Sequence, residues 1–230
     1  MLQSWISDAT NRNAASFLLL LLAIDLAFVF LYFVIYLSDI VNNPLFSLEQ
    51  DRGYPEIYQY MKAFSIVILL GLVLSKTRAI GYGVWSLLFL YLLLDDALGI
   101  HESFGNIVAV NLAFAPGIGL RARDFGELAV SAIAATLFLI PLALFYVRGS
   151  GAFKKATEHL LLLLVSLAFF GIFVDMLHVA IRLGWKVTFL LGAVEDGGEM
   201  VVMSIMAAYV FLLYGRDGNI GSLLQPANIR

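Results

Sequence analysis

Four short strings carry the side chains of this sequence best suited to chemistry. They are Asp95-Asp96 followed by His101-Glu102, Asp124 with Glu127, Asp175-Met176-Leu177-His178, and Glu195-Asp196-Gly197-Gly198-Glu199. On one continuous helix Asp95 and Glu102, two turns apart, share a face. Glu195 with Glu199, and Asp196 with Glu199, are i,i+4 and i,i+3 neighbours. Asp175 and His178 repeat the Glu-x-x-His spacing by which helix bundles hold di-iron or di-manganese centres. Hard divalent ions take carboxylate oxygen and imidazole nitrogen, with no need of thiolate. The candidate ligands are therefore Asp95, Asp96, His101, Glu102, Asp175, His178, Glu195 and Glu199, holding one or two ions of iron, manganese or zinc. Glu127, Asp196 and Asp25 are candidates for orienting ligands or relaying protons.

Each residue also has a plainer reading. Asp175 and His178 could be a hydrogen-bonded pair that stabilises the bundle. Asp95 and Asp96 project about 100° apart, so at most one is expected to face a shared site. His101 and Glu102 fall where boundary residues are often solvated, and Glu127 suits the positive end of a helix dipole. Asp25 stands alone in the middle of the first apolar run, either carrying a proton or partnering a hydroxyl such as Ser65. Glu158 and His159 read as boundary residues, Arg121 and Arg123 as interfacial charges. Gly171 and Gly197-Gly198 read as close-packing positions between helices.

The elements that must position these groups are set by composition. Of 230 residues, 61% are hydrophobic and only 13% are charged, about half the roughly 25% usual in a soluble domain. Six runs, at 16–37, 57–75, 79–98, 126–147, 159–181 and 187–214, are each long enough to cross a hydrocarbon core of about 30 Å. No run alternates as a barrel strand would. The fold class is all-α: a polytopic membrane helix bundle, one integral domain over 1–230, with tails at 1–15 and 215–230. The first run is too long for a signal-peptide core, and only Arg12 precedes it. The stretch 1–13 is read as either a surface-lying turn or a plain tail.

Links at 76–78 and 182–186 are short enough to force antiparallel neighbours. The stretch 38–56 reads as turns, through Asn42-Asn43-Pro44 and Gly53-Tyr54-Pro55. The stretch 103–124 is apolar but broken by Asn111, Pro116, Gly117 and Gly119. It is expected to be re-entrant or interfacial, where protein or a wet cavity covers the backbone; a full crossing would make seven helices.

With six spans, eight basic residues (Arg12, Lys76, Arg78, Arg148, Lys154, Lys155, Arg216, Arg230) fall on one side. Six others (Arg52, Lys62, Arg121, Arg123, Arg182, Lys186) fall opposite. The positive-inside rule then predicts both termini in the cytoplasm, most naturally of a bacterial inner membrane. The acidic strings of four helices fall in the non-cytoplasmic half, at depths overlapping within about 10 Å. Ionisable residues in spans are costly, which makes that layer the expected site.

Absences narrow the chemistry. With no cysteine there is no disulfide, iron–sulfur cluster or thiolate site. Fourteen basic against seventeen acidic residues leave no basic face for nucleic acid. Three histidines are too few for a bis-haem protein. Lys62, near the start of the second run, and Lys186, in a loop, speak against a retinal Schiff base. No zinc-protease, nucleophile-elbow or dinucleotide fingerprint occurs.

Leu94-Asp95-Asp96 through His101-Glu102, with Glu195-Asp196 and Glu199 downstream, resembles uncharacterised bacterial multi-pass membrane proteins. Those carry a Leu-Asp-Glu…His-Glu segment on one helix and a Glu-Glu-x-x-Glu segment on a later one. Asp96 and Asp196 stand where such proteins often have Glu. The likeness covers two helices of six and implies a shared polar site but no particular activity.

The expected function is a membrane-embedded metalloenzyme, hydrolase or oxidoreductase, acting on a lipid-soluble substrate. A proton- or cation-coupled transporter or channel using the same acids is the alternative, and an accessory membrane subunit the third; the expected partners are membrane lipids, a lipid-soluble small molecule or ion, and a second copy or partner subunit.

Overall fold

The computed structural model describes residues 9–38, 43–180 and 184–217. The order is α1 (Ala9–Leu37), a 3₁₀ turn (Pro44–Phe46), α2 (Tyr54–Thr77), α3 (Gly81–Leu98), α4 (Ile100–Asn111), α5 (Ala122–Arg148) and α6 (Gly151–Ala168). A π-helical turn (Phe169–Val174) then leads into α7 (Asp175–Ala180), and α8 (Trp185–Asp217) follows. Six of the described helical rods are long and apolar enough to cross a membrane, with α6, the π turn and α7 forming one of them. The chain is an all-α integral membrane protein.

Helices extend past the apolar runs where polar residues continue the turn. Thus α1 begins at Ala9 and α6 at Gly151, taking in Asn11, Arg12, Lys154 and Lys155. Ser150 caps α6 by accepting from the Phe153 amide at 3.3 Å. Arg121 and Asp124 form a reciprocal capping box at the start of α5. The segment expected to be re-entrant or interfacial begins within a short helix, α4, that packs along the first turns of α5 and is not among the six long apolar rods. Gly99, at φ +61°, ends α3 and redirects the chain into it. A Cβ on Gly126 would fall on the backbone carbonyl of Gly105. The two backbones touch there, which only glycine permits.

Helix α8 is the centre of the bundle. Of its most apolar stretch 56% is buried, against 28% at most for the other spans, and it packs on α1, α2 and the α6 rod. Towards the α2–α3 and α5–α6 turns (the proximal end), Ile66, Leu70, Trp85, Phe89, Leu160, Met206 and Val210 fill the interior. Arg216 donates to Asn11 Oδ1 at 3.2 Å, so α1 starts at the end where α8 finishes. Near the other, distal end, a smaller cluster joins Tyr32, Leu48, Phe189 and Met200. Between that cluster and the lower α5–α6 rods the bundle is hollow.

Candidate functional site

The distal hollow is a cavity of about 960 Å³. Asp96 reaches it from α3, His101 and Glu102 from α4, Glu127 from α5, Asp175 and His178 from α7, and Glu195, Asp196 and Glu199 from α8. The layer expected from helix depth therefore exists as one lined space. Ten carboxylates line it against two guanidinium groups, those of Arg121 and Arg123.

Two expected members stand elsewhere. Asp95 faces an adjoining cavity. It accepts from the His101 amide at 2.8 Å and lies 3.1 Å from His101 Nδ1. The expected shared face of Asp95 and Glu102 fails because Gly99 breaks the helix between them; Glu102 instead pairs with Arg123 at 2.7 Å. Of the two neighbouring aspartates, Asp96 is the one that faces the acidic cavity.

Asp25 joins none of this. It is completely buried and accepts from Lys62 Nζ at 2.9 Å and from Ser204 Oγ at 2.6 Å. Its hydroxyl partner is thus Ser204 and not Ser65, which donates to the Met61 carbonyl. Lys62, counted above with the basic residues of one side, is 3% exposed and also donates to the Met200 carbonyl at 2.8 Å and to Ser204 Oγ at 3.2 Å. The network pins α1, α2 and α8 together at the cavity floor, where Met200 is also a lining residue.

Sequence reasoning missed Glu49, Asp51, Glu56 and Gln59, which line the opposite wall. Glu49 accepts from Tyr32 at 2.5 Å and Tyr36 at 3.0 Å, tying the segment before α2 over the cavity. A signal existed: Glu56, Gln59 and Lys62 recur every three residues along one side of α2.

The pairings within the site sort its groups. His178 Nδ1 lies 2.8 Å from Glu195 Oε2, so its partner is on α8 and not Asp175 one turn away. Arg123 holds Glu127 at 2.5 Å. Arg121 holds Asp124 at 2.7 Å. The hydrogen bond to Asp95 raises the His101 pKa above its ordinary value. The same kind of bond, to Asp124, raises that of Arg121. Hydrogen bonds and ion pairs among the described residues leave Asp96, Asp175, Asp196 and Glu199 to one another and to the cavity. Glu199 can lie so close to α6 because residue 171 is glycine; a Cβ there would strike its carboxylate. That glycine sits in the π-helical turn, a distortion often found at functional sites.

One buried side-chain atom among the described residues has no hydrogen-bond partner: Gln59 Oε1. Gln59 lines both this cavity and the adjoining one of about 430 Å³. Among the described residues no group of three or more His, Asp or Glu side chains is arranged to hold a metal ion as it stands. Arg182, considered as a partner for the acids, lies outside the described residues.

The fold and site define a polytopic helical membrane protein with an acidic cavity in one half. The chain belongs to the family described as a domain of unknown function, DUF8692, which matches residues 57–213. That range takes in α2 through nearly all of α8 and leaves α1 outside. No curated protein matches the chain, and no solved structure does.

Proposed function

We propose that the acidic cavity is a divalent-cation site of a membrane-embedded enzyme acting on a lipid-soluble substrate. The observation that carries this reading is the pair of imidazoles. His101 and His178 come from different helices, each has Nδ1 against a carboxylate, and both line the same cavity. A carboxylate on Nδ1 fixes the tautomer that leaves Nε2 with a lone pair, the usual support of a metal-bound histidine. Asp95 and Glu195 then orient the rings, and Asp96, Asp175, Asp196 and Glu199 supply the oxygen donors. Carboxylates confined together without a cation must take up protons; a divalent ion removes that penalty.

The ion is iron, manganese or zinc, one or two per chain, and it is gathered by side-chain rotation rather than received in a ready cage. Bound there, it would polarise water for hydrolysis or exchange electrons with a quinone-like substrate. A transporter using the same acids would have to open the apolar packing of Ile66, Leu70, Met206 and Val210 beneath the cavity. The reading of an accessory subunit lacks an observation of its own. The cavity faces away from the cytoplasm of a bacterial inner membrane if the eight-to-six basic bias sets orientation.

The test is elemental analysis of protein purified without chelator, with melting followed as metal is added. The expected result is at least one tightly held divalent ion, lost in His178→Ala/Glu199→Ala while the variant still inserts. Metal-free wild type whose melting temperature ignores added metal would overturn the reading and leave proton relay in its place.

A further inference from the structure

The adjoining cavity of about 430 Å³ shares its polar end with the acidic one and is otherwise of different chemistry. Away from that end its walls are mainly small or aliphatic, with Ala134 and Ala135 of α5, Leu164 and Ala168 of α6, Leu88 of α3 and Met203 of α8. Helices α5 and α6 are joined through the short 149–150 turn, where Tyr146 donates to Glu158 at 2.7 Å. Beyond that turn they part, and α5 leans on α3 and α4 while α6 leans on α8. Leu139 and Val165, one on each side of the gap, line the cavity and are also exposed on the bundle perimeter. The mouth therefore opens sideways, at the depth of hydrocarbon chains. At its inner end the cavity meets the acidic one, and Gln59, Asp96, Asp175 and Glu199 line both.

We infer that this cavity takes the hydrocarbon chain of a single-chain lipid entering between α5 and α6, and that it presents a hydrogen-bond-donating head, a hydroxyl or an ammonium, to Gln59 and Glu199. The occupant follows from three observations. A space walled by aliphatic groups and open to lipid admits a chain and not a soluble polar molecule. The unpartnered Gln59 Oε1 at the junction is an acceptor awaiting a donor. Four carboxylates shared by the two cavities at the junction, those of Asp96, Glu127, Asp175 and Glu199, disfavour a carboxylate or phosphate head there. A chain leaving the bilayer gains almost nothing from the hydrophobic effect, since lipid is as apolar as leucine; the head must supply the selectivity. This deepens the enzyme reading by naming its substrate class, but it does not need a metal to be bound.

The test uses palmitylamine, palmityl alcohol and palmitate, each with a mid-chain diazirine, photolysed with the full-length protein in lipid nanodiscs. The amine and alcohol should label cavity-lining positions such as Ser131, Ala134, Ala135, Leu164 and Ala168, and excess unlabelled palmitylamine should remove that labelling. Palmitate should label these positions about tenfold less. Gln59→Leu should lower amine labelling, and Ala135→Phe should abolish it. Competition on the wild type keeps the test valid should Ala135→Phe fail to fold. Equal labelling by palmitate would overturn the assignment. So would labelling that spreads over outward positions such as Leu137 and Leu144 and survives competition. Metal content measured on the same samples separates the two readings: chain labelling without metal overturns only the ion, and metal without labelling only the chain site.

Discussion

Replacing Lys62 by Met tests the strongest polar anchor in the bundle. Lys62 makes hydrogen bonds to Asp25, the Met200 carbonyl and Ser204, and its ammonium lies 4.5 Å from the Tyr58 ring centroid. Asp25 retains only Ser204 when Lys62 is lost. Removing one member of a buried pair costs about 3–5 kcal/mol, because the survivor keeps its desolvation penalty without its partner. The Ser204 hydroxyl still serves Asp25, so the lower figure of about 3 kcal/mol is expected, roughly a hundredfold in the folding equilibrium. Asp25→Leu should cost about as much, leaving an ammonium with a carbonyl and a hydroxyl. The double variant, with both charges replaced by apolar groups, should be more stable than either single one. Equilibrium unfolding by dodecyl sulfate in mixed micelles, followed by tryptophan fluorescence, supplies all corners of the cycle. Single losses below about 1 kcal/mol that simply add in the double variant would refute the coupling.

Three further outcomes are expected. His101 has its pKa raised above 6.5 by the bond to Asp95, so its contribution to stability is fully present below about pH 6.5 and lost as pH rises through the higher folded-state value. A melting-temperature profile should show that step, and His101→Gln should flatten it; an unchanged profile in the variant would assign the step to another group. Gly126→Ala forces a methyl onto the Gly105 carbonyl, a backbone collision worth about 2–3 kcal/mol. It should raise hydrogen exchange in α4 first, and protection equal to wild type would contradict the close approach. Because the chain has no cysteine, single cysteines can report sidedness cleanly. Thr77→Cys and Ser150→Cys should react only from the cytoplasm, and Gln50→Cys only from outside. The reverse pattern would invert the topology.

Depth was legible from sequence, and partnership was not. The short links at 76–78 and 182–186 fixed which ends of the helices lie together. That arithmetic placed Asp96, Asp175, Glu195 and Glu199 in one layer, and the structure puts them around one cavity. Periodicity states which face a residue occupies but not what crosses to meet it. His178 was therefore matched to Asp175 on its own helix, whereas its neighbour is Glu195 on α8. The break at Gly99 defeated the two-turn rule for Asp95 and Glu102, since a left-handed residue resets the helical phase. Glu49 and Asp51 were hidden in a stretch read only as turns. Lys62 was counted with the basic residues of one side, whereas its flexible stem carries the charge inward to Asp25.

The central place of α8 has a consequence for how the protein is made. This helix carries Glu195, Asp196 and Glu199 within its span, and an acidic residue at a helix centre costs about 2.5–3.5 kcal/mol on insertion scales. It is also the last of the described helices to leave the ribosome. The preceding rods must therefore stand in the bilayer around an unfilled seam until it arrives. Lys62 and Asp25 can already neutralise each other across that seam, since they belong to α1 and α2. The waiting assembly then has a polar rail at mid-depth, and the Met200 carbonyl and Ser204 of the incoming helix register against it. Insertion of α8 thus supplies the core of the described bundle after the rods around it, with a charge pair from the first two helices there to meet it.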